Sequence, residues 1–591
     1  MSALPLFFAL LLSAWAWGGI AVRSFPRTAT PWEEILLRFS WGWALMGLSM
    51  SALGLACLLQ GRFLVAALAV PAPLLLLRAR APAKQLGPVP SGEKVLILLL
   101  AAGLLLGFAA DGAPPLAHDA LAYHLALPKL FWREGRLAFF PWNNASAWPH
   151  LLHFLYLPGV ACGLPQTAQF IHGFLGLLSV AWIGFLTARF TGRWAGWAAA
   201  LLWASSGLYK VLSATALSDL GMAAFSTGAL AALVRYREND ERRWLLQAGA
   251  LAGFSASVKL TGLIWVSVLA LSLAFDRRPV RDRFRAALLF GTVSFAFAGP
   301  WLLWSWVKAG NPVWPFLYSI FGGKYWSADQ SARWAAYGGE HLIAPGFVAA
   351  CLQKLGVLLS VSRSADVFAG WLPIASVAAL LWRRKSFFPG ALSTAAPAVV
   401  AYTAAALFCG PPSARYFAPV FPWVAAGLAS ALESLRERRK VGAAAWTILA
   451  VVSLYTSPLT DGRIWRKAQV SFGLDSPQTE LARLDVYAPS VWINGHLPPT
   501  AKILLLNDIR GFYLDRDYLW GDPVNQAAVS YDGVSDLSSL LVRWRAVGVT
   551  HVLFREGGLF WPADGAGAVR DFLTKVHPVV VVGGYILYEV P

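Results

Sequence analysis

The sequence predicts an α-helical polytopic membrane protein of about 14 spans, followed by a small C-terminal α/β domain outside the membrane. Three observations predict it. The 591 residues are 57% hydrophobic and only 14% charged, where globular domains carry about 25% charged residues. A water-soluble core cannot hide so much apolar surface, so lipid is the solvent for most of the chain. Short basic loops recur between the apolar runs, always on the same side. After Pro458 charge rises and apolar runs shrink to strand length.

A spanning helix needs roughly 17–25 apolar residues. The runs that qualify, or come close, are Leu4–Val22, Ile35–Leu59, Phe63–Leu77, Val95–Ala110, Ala168–Ala188, Trp194–Tyr209, Leu217–Val234, Trp244–Val258, Leu260–Phe275, Ala286–Val307, Val367–Trp382, Pro389–Cys409, Phe417–Glu433 and Val441–Ser457. Basic residues lie at Arg23–Arg27, Arg78–Lys94, Arg189–Arg193, Arg235–Arg243, Arg277–Arg285, Arg383–Lys385 and Arg436–Lys440. The positive-inside rule places these loops in the cytoplasm. The loops 111–167 and 308–366 and everything after Pro458 then fall outside. The first run lacks the basic start and small-residue cleavage site of a signal peptide, so it is taken as a span.

This division gives three regions: membrane spans in 1–94, a membrane core in 95–458, and an extracytoplasmic domain in 459–591. In the last, Ile503–Leu506, Val549–Phe554, Val579–Val582 and Tyr585–Val590 predict strands. Asp536–Val547 and Ala566–Lys575 predict helices between them, an α/β alternation. The net charge of +18 is explained by membrane orientation, which removes the argument for a nucleic-acid partner. The 29 tryptophans suit the aromatic belts at the bilayer surface. Cys57, Cys162, Cys351 and Cys409 form no paired motif.

Ionisable groups at membrane depth are costly and mark function. His118-Asp119-Ala120-Leu121-Ala122-Tyr123-His124 follows the run ending at Ala110 and puts an acid, a phenol and two imidazoles just where a span ends. If this stretch is helical, Asp119 and Tyr123 share a face. Asp119 is the candidate base, with Tyr123 and His124 beside the substrate; its bland role is a helix cap. Asp219 begins a span and has the same two readings. Lys259 lies alone between two apolar runs, where it either snorkels or meets a lipid phosphate as a point charge. Arg415, on the outer side against the charge bias, offers a planar fork suited to phosphate. His118, His124, His150 and His153 give no complete ligand set for a metal. Asn144-Ala145-Ser146 fits a glycosylation sequon.

Taken in order, His118–His124, Trp148-Pro149-His150-Leu151, Leu217-Ser218-Asp219-Leu220, Lys259-Leu260-Thr261-Gly262, Gly310-Asn311-Pro312-Val313-Trp314-Pro315-Phe316 and Arg415-Tyr416-Phe417-Ala418-Pro419 resemble the GT-C class of polytopic glycosyltransferases. Within it the chain looks like the protein mannosyltransferase and aminoarabinose transferase group. That group often has an Asp-Glu pair in its first outer loop, whereas Asp119 is followed by Ala120. The resemblance implies a polyprenyl-phosphate sugar donor, a lipid, glycan or protein acceptor, and a bacterial inner (plasma) membrane with the C-terminal domain outside the cytoplasm. It implies attack on the anomeric carbon with displacement of the lipid phosphate. Asp119 would be the base, Lys259 and Arg415 the phosphate-side cations, and a divalent cation a possible cofactor. Two other classes compete. A transporter predicts repeated halves and broken spans, and no repeat is visible. A noncatalytic assembly protein predicts that Asp119 is replaceable.

Overall fold

The computed structural model of the chain describes residues 3–76, 91–276, 278–338, 389–409, 413–436, 439–557 and 565–591. The chain divides into two units, each assembled from three stretches of sequence.

The first unit takes Met1–Ala113, Pro149–Pro300 and Gly338–Asp475 and is helical. Its helices are α1 (Ala3–Ala21), α2 (Pro31–Leu55), α3 (Gly61–Ala69), α4 (Ser91–Ala110), α5 (Leu151–Ala161), α6 (Gln166–Thr191), α7 (Arg193–Ala204), α8 (Gly207–Leu212), α9 (Asp219–Asn239), α10 (Arg242–Val258), α11 (Gly262–Ala274), α12 (Val280–Ala309, ending in the second unit), α13 (Ala396–Cys409), α14 (Phe421–Glu433), α15 (Arg439–Thr456) and α16 (Gly462–Ser471). Among the described residues, four segments are long and apolar enough to cross a membrane: Ala3–Ser24, Glu93–Ala110, Gln166–Thr191 and Val280–Ala309.

Among the described residues, several expected spans are not a single α-helix; Pro389–Cys409 opens with a 3-10 segment over Gly390–Ala395. Trp194–Tyr209 divides into α7 and α8, because the Ser206 hydroxyl accepts the Tyr209 N–H at 3.1 Å and starts a new helix. In Phe63–Leu77 the helix ends at Ala69, near Pro71 and Pro73, and a 3-10 turn follows over Ala72–Leu76. A ring in place of the N–H cannot continue the ladder. Val367–Trp382 lies outside the described residues.

The N-terminal helices are joined firmly to this unit. A Cβ on Gly42 would collide with the Ala14 carbonyl, so α1 and α2 approach backbone to backbone there. Arg38, buried in α2, donates to the Trp15 and Leu74 carbonyls at 2.9 and 2.8 Å. Thr30 and Glu33 form a capping box that starts α2. Glu33 also pairs with Arg235 of α9 at 2.7 Å, both fully buried. The turn before α2 is held by α10: Trp244 Nε1 donates to Thr28 Oγ1 at 2.9 Å and Gln247 Nε2 to the Ser24 carbonyl at 3.1 Å.

The second unit takes Pro114–Trp148, Trp301–Tyr337 and Ser476–Pro591. It contains a five-stranded sheet: β1 (Lys502–Leu506), β2 (Asp517–Trp520), β3 (His551–Arg555), β4 (Pro578–Val582) and β5 (Tyr585–Glu589), in the order β2-β1-β3-β5-β4. β1 runs parallel to β2 and β3, while β5 is antiparallel to β3 and β4. Helices Leu537–Ala546 and Ala566–Lys575 bury Trp544, Leu540 and Phe572 against Leu504 and Val552 of the sheet. Four strands and both helices lie where the sequence predicts them. β2 was not expected, since four residues opening on Asp517 carry too little periodicity to register. Just beyond the end of β1, Arg510 bridges Asp508 and Asp485 at 2.5 and 2.8 Å. Burial pushes the Asp508 carboxyl up, but the Arg510 guanidinium outweighs it and holds the group below the usual carboxylate range.

The stretch 114–148 belongs to this unit. The Phe512 N–H donates to the Leu121 carbonyl at 3.1 Å and the Ala527 N–H to the Pro141 carbonyl at 2.8 Å. Lys129 Nζ reaches the carbonyls of Phe512 and Leu514 and the Asp515 carboxylate, each at 2.9 Å. Trp142 packs on the sheet's core. Asn144 is buried, so its sequon is not presented to solvent.

Candidate active site

Three of the expected site residues meet in the first unit. Asp219 is the first residue of α9 and is 2% exposed at its side chain. The N-cap position is held by Ser218, and among the described residues the hydrogen bond to the Asp219 carboxylate comes from Lys259. The Leu220 N–H, an orphan donor of the first turn, is instead accepted by His172 Nε2 of α6 at 3.0 Å. The Asp219 carboxylate therefore turns to Lys259, whose Nζ lies 2.8 Å from Oδ1.

Lys259 sits in the tight turn between α10 and α11. The Gly262 N–H bonds to the Lys259 carbonyl at 2.8 Å. Gly262 lies so close to the preceding helix that a Cβ would stand 2.5 Å from the Ala256 nitrogen. The lysine is thus not alone. Its ammonium is held between the Asp219 carboxylate and the face of Tyr416, 4.5 Å from the ring centroid, a cation–π contact. Arg415 is next in sequence to that tyrosine, and its charge also acts on Asp219. Tyr416 is positioned through its carbonyl, which accepts from Tyr402 Oη at 3.0 Å. Among the described residues, one acid and two cations leave this cluster with a net positive charge.

His172 and Tyr416 were not among the expected site residues. The signal for His172 was present in the sequence, a lone imidazole inside the apolar span Ala168–Ala188. Tyr416 gave none, because a tyrosine at a span end is ordinary.

Asp119 lies in the second unit. It is in the first turn of a helix that widens into a π-turn over Ala120–His124, closed by the Leu125 N–H on the Ala120 carbonyl at 2.8 Å. Such turns are frequent at functional sites. Asp119 makes no capping bond. Its Oδ1 stands 3.3 Å from His118 Nδ1, and its side chain is 22% exposed. The Tyr123 ring lies 4.4 Å from that of His124, tilted by 51°, and meets Trp148 edge-on at 5.5 Å. The structure thus presents a partly solvated carboxylate beside an imidazole, on a framework of aromatic rings.

For a divalent cation these residues fit only in part. Among the described residues no three His, Cys, Asp or Glu side chains converge. His118 and Asp119 offer two donors, against the octahedral set that Mg²⁺ takes. In the first unit, the Nδ1 atoms of His150 and His153 are 2.7 Å apart and bond to each other.

Residues 166–304 match the family model of dolichyl-phosphate-mannose-protein mannosyltransferases. Asp219 and Lys259 fall inside that match; Asp119 and Arg415 fall outside it. The structure of ArnT from Cupriavidus metallidurans bound to undecaprenyl phosphate is similar at 15% identity with a TM-score of 0.55, covering 84% of this chain and 98% of that one. The apo form of the same protein gives 15%, 0.57, 85% and 99%. The oligosaccharyltransferase AglB from Archaeoglobus fulgidus, complexed with an inhibitory peptide and a dolichol-phosphate, gives 12%, 0.46, 78% and 69%. No curated protein matches the chain in sequence. The chain is a polytopic membrane protein with the GT-C glycosyltransferase fold. Within that class its likeness is to the protein mannosyltransferase and aminoarabinose transferase group.

Proposed function

We propose that the protein is a membrane glycosyltransferase that moves a hexosyl or pentosyl group from a polyprenyl-phosphate donor to a lipid, glycan or protein acceptor on the extracytoplasmic side. The observation that carries this reading is the cluster of Asp219, Lys259 and Arg415. A net positive charge fixed at the ends of apolar helices is suited to the phosphate of a membrane-embedded donor. The undecaprenyl phosphate of the similar ArnT structure supports the same lipid class.

In this reading the acceptor O–H gives its proton to Asp119 while its oxygen bonds to the anomeric carbon. The bond from that carbon to the phosphate oxygen breaks, and its electron pair leaves on the phosphate. Lys259 and Arg415 hold the charge that develops there, and fixed cations of this kind contribute most in a water-poor site. Asp219 orients Lys259, and Tyr123 and His124 line the acceptor side. No second carboxylate is needed as an acid, because a neutralised phosphate leaves readily. Chelation by EDTA reads whether a divalent cation shares Asp119 with the acceptor.

The test is the lipid that copurifies. Mass spectrometry of extracts from the purified protein is expected to show a polyprenyl phosphate or its sugar ester, depleted in Arg415→Ala. Recovery of ordinary phospholipid alone, equally from parent and variant, would sink the proposal.

Sidedness in a bacterial inner membrane follows from the basic loops. In a variant freed of cysteine, Asp475→Cys is expected to react with an impermeant maleimide in intact cells. Labelling only after the membrane is opened would reverse the orientation.

A further inference from the structure

Asp119 stands on a turn that a plain α-helix would not make. In an α-helix the Leu125 N–H would bond to the Leu121 carbonyl, four residues back. Here it bonds to the Ala120 carbonyl at 2.8 Å, five residues back, and the Leu121 carbonyl accepts the Phe512 N–H at 3.1 Å. Phe512 belongs to the connection 507–516 between β1 and β2. The wide turn and the contact with this loop therefore go together. The carbonyl that the α-helical register would use is taken by the loop.

The same loop grips the chain on both sides of Asp119. Before it, Tyr513 Oη donates to the Pro115 carbonyl at 2.9 Å. After it, Lys129 on the helix Ala126–Glu134 reaches the Phe512 and Leu514 carbonyls and the Asp515 carboxylate, each at 2.9 Å. Arg133 of that helix donates to the Asp515 carbonyl at 3.2 Å. Leu121 and Leu514 are fully buried.

The loop is itself anchored at its base. Asn494 of the helix Tyr487–His496 donates to the Tyr513 carbonyl at 2.9 Å and accepts the Asp515 N–H at 2.8 Å. Arg516 donates to the Asn494 and Leu497 carbonyls at 2.8 and 2.7 Å. The Tyr513 ring meets Tyr487 edge-on at 5.2 Å. A Cβ on Gly511 would stand 2.2 Å from the Tyr518 ring of β2, so the loop lies close against that strand.

A return to the α-helical register would rotate the residues before the wide turn by about 100° relative to those after it, the step of one helical residue. The Asp119 carboxylate would be carried away with them. With Asp119 read as the base, on which this rests, we propose that the loop between β1 and β2 holds the π-turn open and so aims Asp119. The C-terminal domain is then a working part of the transferase, with Lys129 and Tyr513 as positioning residues.

Lys129→Met keeps the stem and removes the ammonium. Its partner Asp515 is 60% exposed, so no buried charge is left behind. Single-turnover transfer by the full-length variant is expected to slow about 10- to 100-fold, the order of loss that a misplaced reacting group brings, with donor affinity unchanged. Amide exchange over 117–126 is expected to quicken while β1 and β3 exchange as in the parent. Tyr513→Phe, which loses one hydroxyl, is expected to act in the same direction to a smaller degree, and it serves if Lys129→Met misfolds. The deciding readout is the double-mutant cycle with Asp119→Asn. A residue that acts through Asp119 loses its effect on rate once the carboxylate is gone. One that only stabilises the domain slows the Asn variant by the same factor as the parent, and that result overturns the proposal. Parent-rate exchange over 117–126 or parent-rate transfer, in folded variants, overturns it as well. Near-parent transfer by Asp119→Asn alone is a different failure: it removes the base, and exchange over 117–126 in Lys129→Met still decides whether the loop holds the turn.

Discussion

Asp119→Asn is expected to slow transfer by 10²–10⁴-fold, the usual cost of losing a general base, while donor binding and thermal stability stay near those of the parent. The substitution keeps size and shape and removes only the capacity to take a proton. The structure strengthens its meaning, because Asp119 lies inside the first turn and makes no capping bond. A structural role through the cap therefore cannot mimic a chemical one. The carboxylate is partly solvated at 22% exposure, so the neutral amide leaves no buried charge unpaired. The assay is single-turnover transfer from a defined lipid-linked sugar in nanodiscs, with donor binding and melting followed in parallel. Near-parent rates in Asp119→Asn would move the base elsewhere and reduce the His118–His124 segment to scaffolding.

Lys259→Ala is expected to lower both donor binding and stability. The second effect follows from the pairing with Asp219, which an isolated lysine would not have shown. Removing one partner of a buried ion pair strands the other, at roughly 3–5 kcal/mol, and the Asp219 side chain is only 2% exposed. The paired replacement Asp219→Asn with Lys259→Met removes both charges and is expected to regain most of the lost stability. It should not regain donor binding, because the phosphate-side cation is gone. Thermal unfolding in detergent, beside donor binding, separates the two consequences. Melting of Lys259→Ala at the parent temperature would show that the ion pair contributes nothing to the fold. Full donor affinity in the paired replacement would remove Lys259 from the phosphate site.

The helical unit runs past the expected boundary at Pro458 to Asp475, but the membrane class and four of the five strands were legible in the sequence, which also singled out Asp119, Asp219, Lys259 and Arg415 as candidates. Each is a local property. Hydropathy sums over one stretch of chain, strand and helix periods repeat within a few residues, and a charge in an apolar run stands out against its immediate neighbours. What each charge does was decided only by tertiary structure. Lys259 reads as a solitary cation until packing brings it to Asp219, 40 residues away. Asp219 reads equally as a cap until His172, from another helix, is seen to accept the Leu220 N–H. The stretch 114–148 reads as part of an outer loop until Lys129 and Trp142 are found built into the unit that carries the sheet. Periodicity shows which face of a helix is apolar, but the identity of the group opposite that face depends on how distant segments pack.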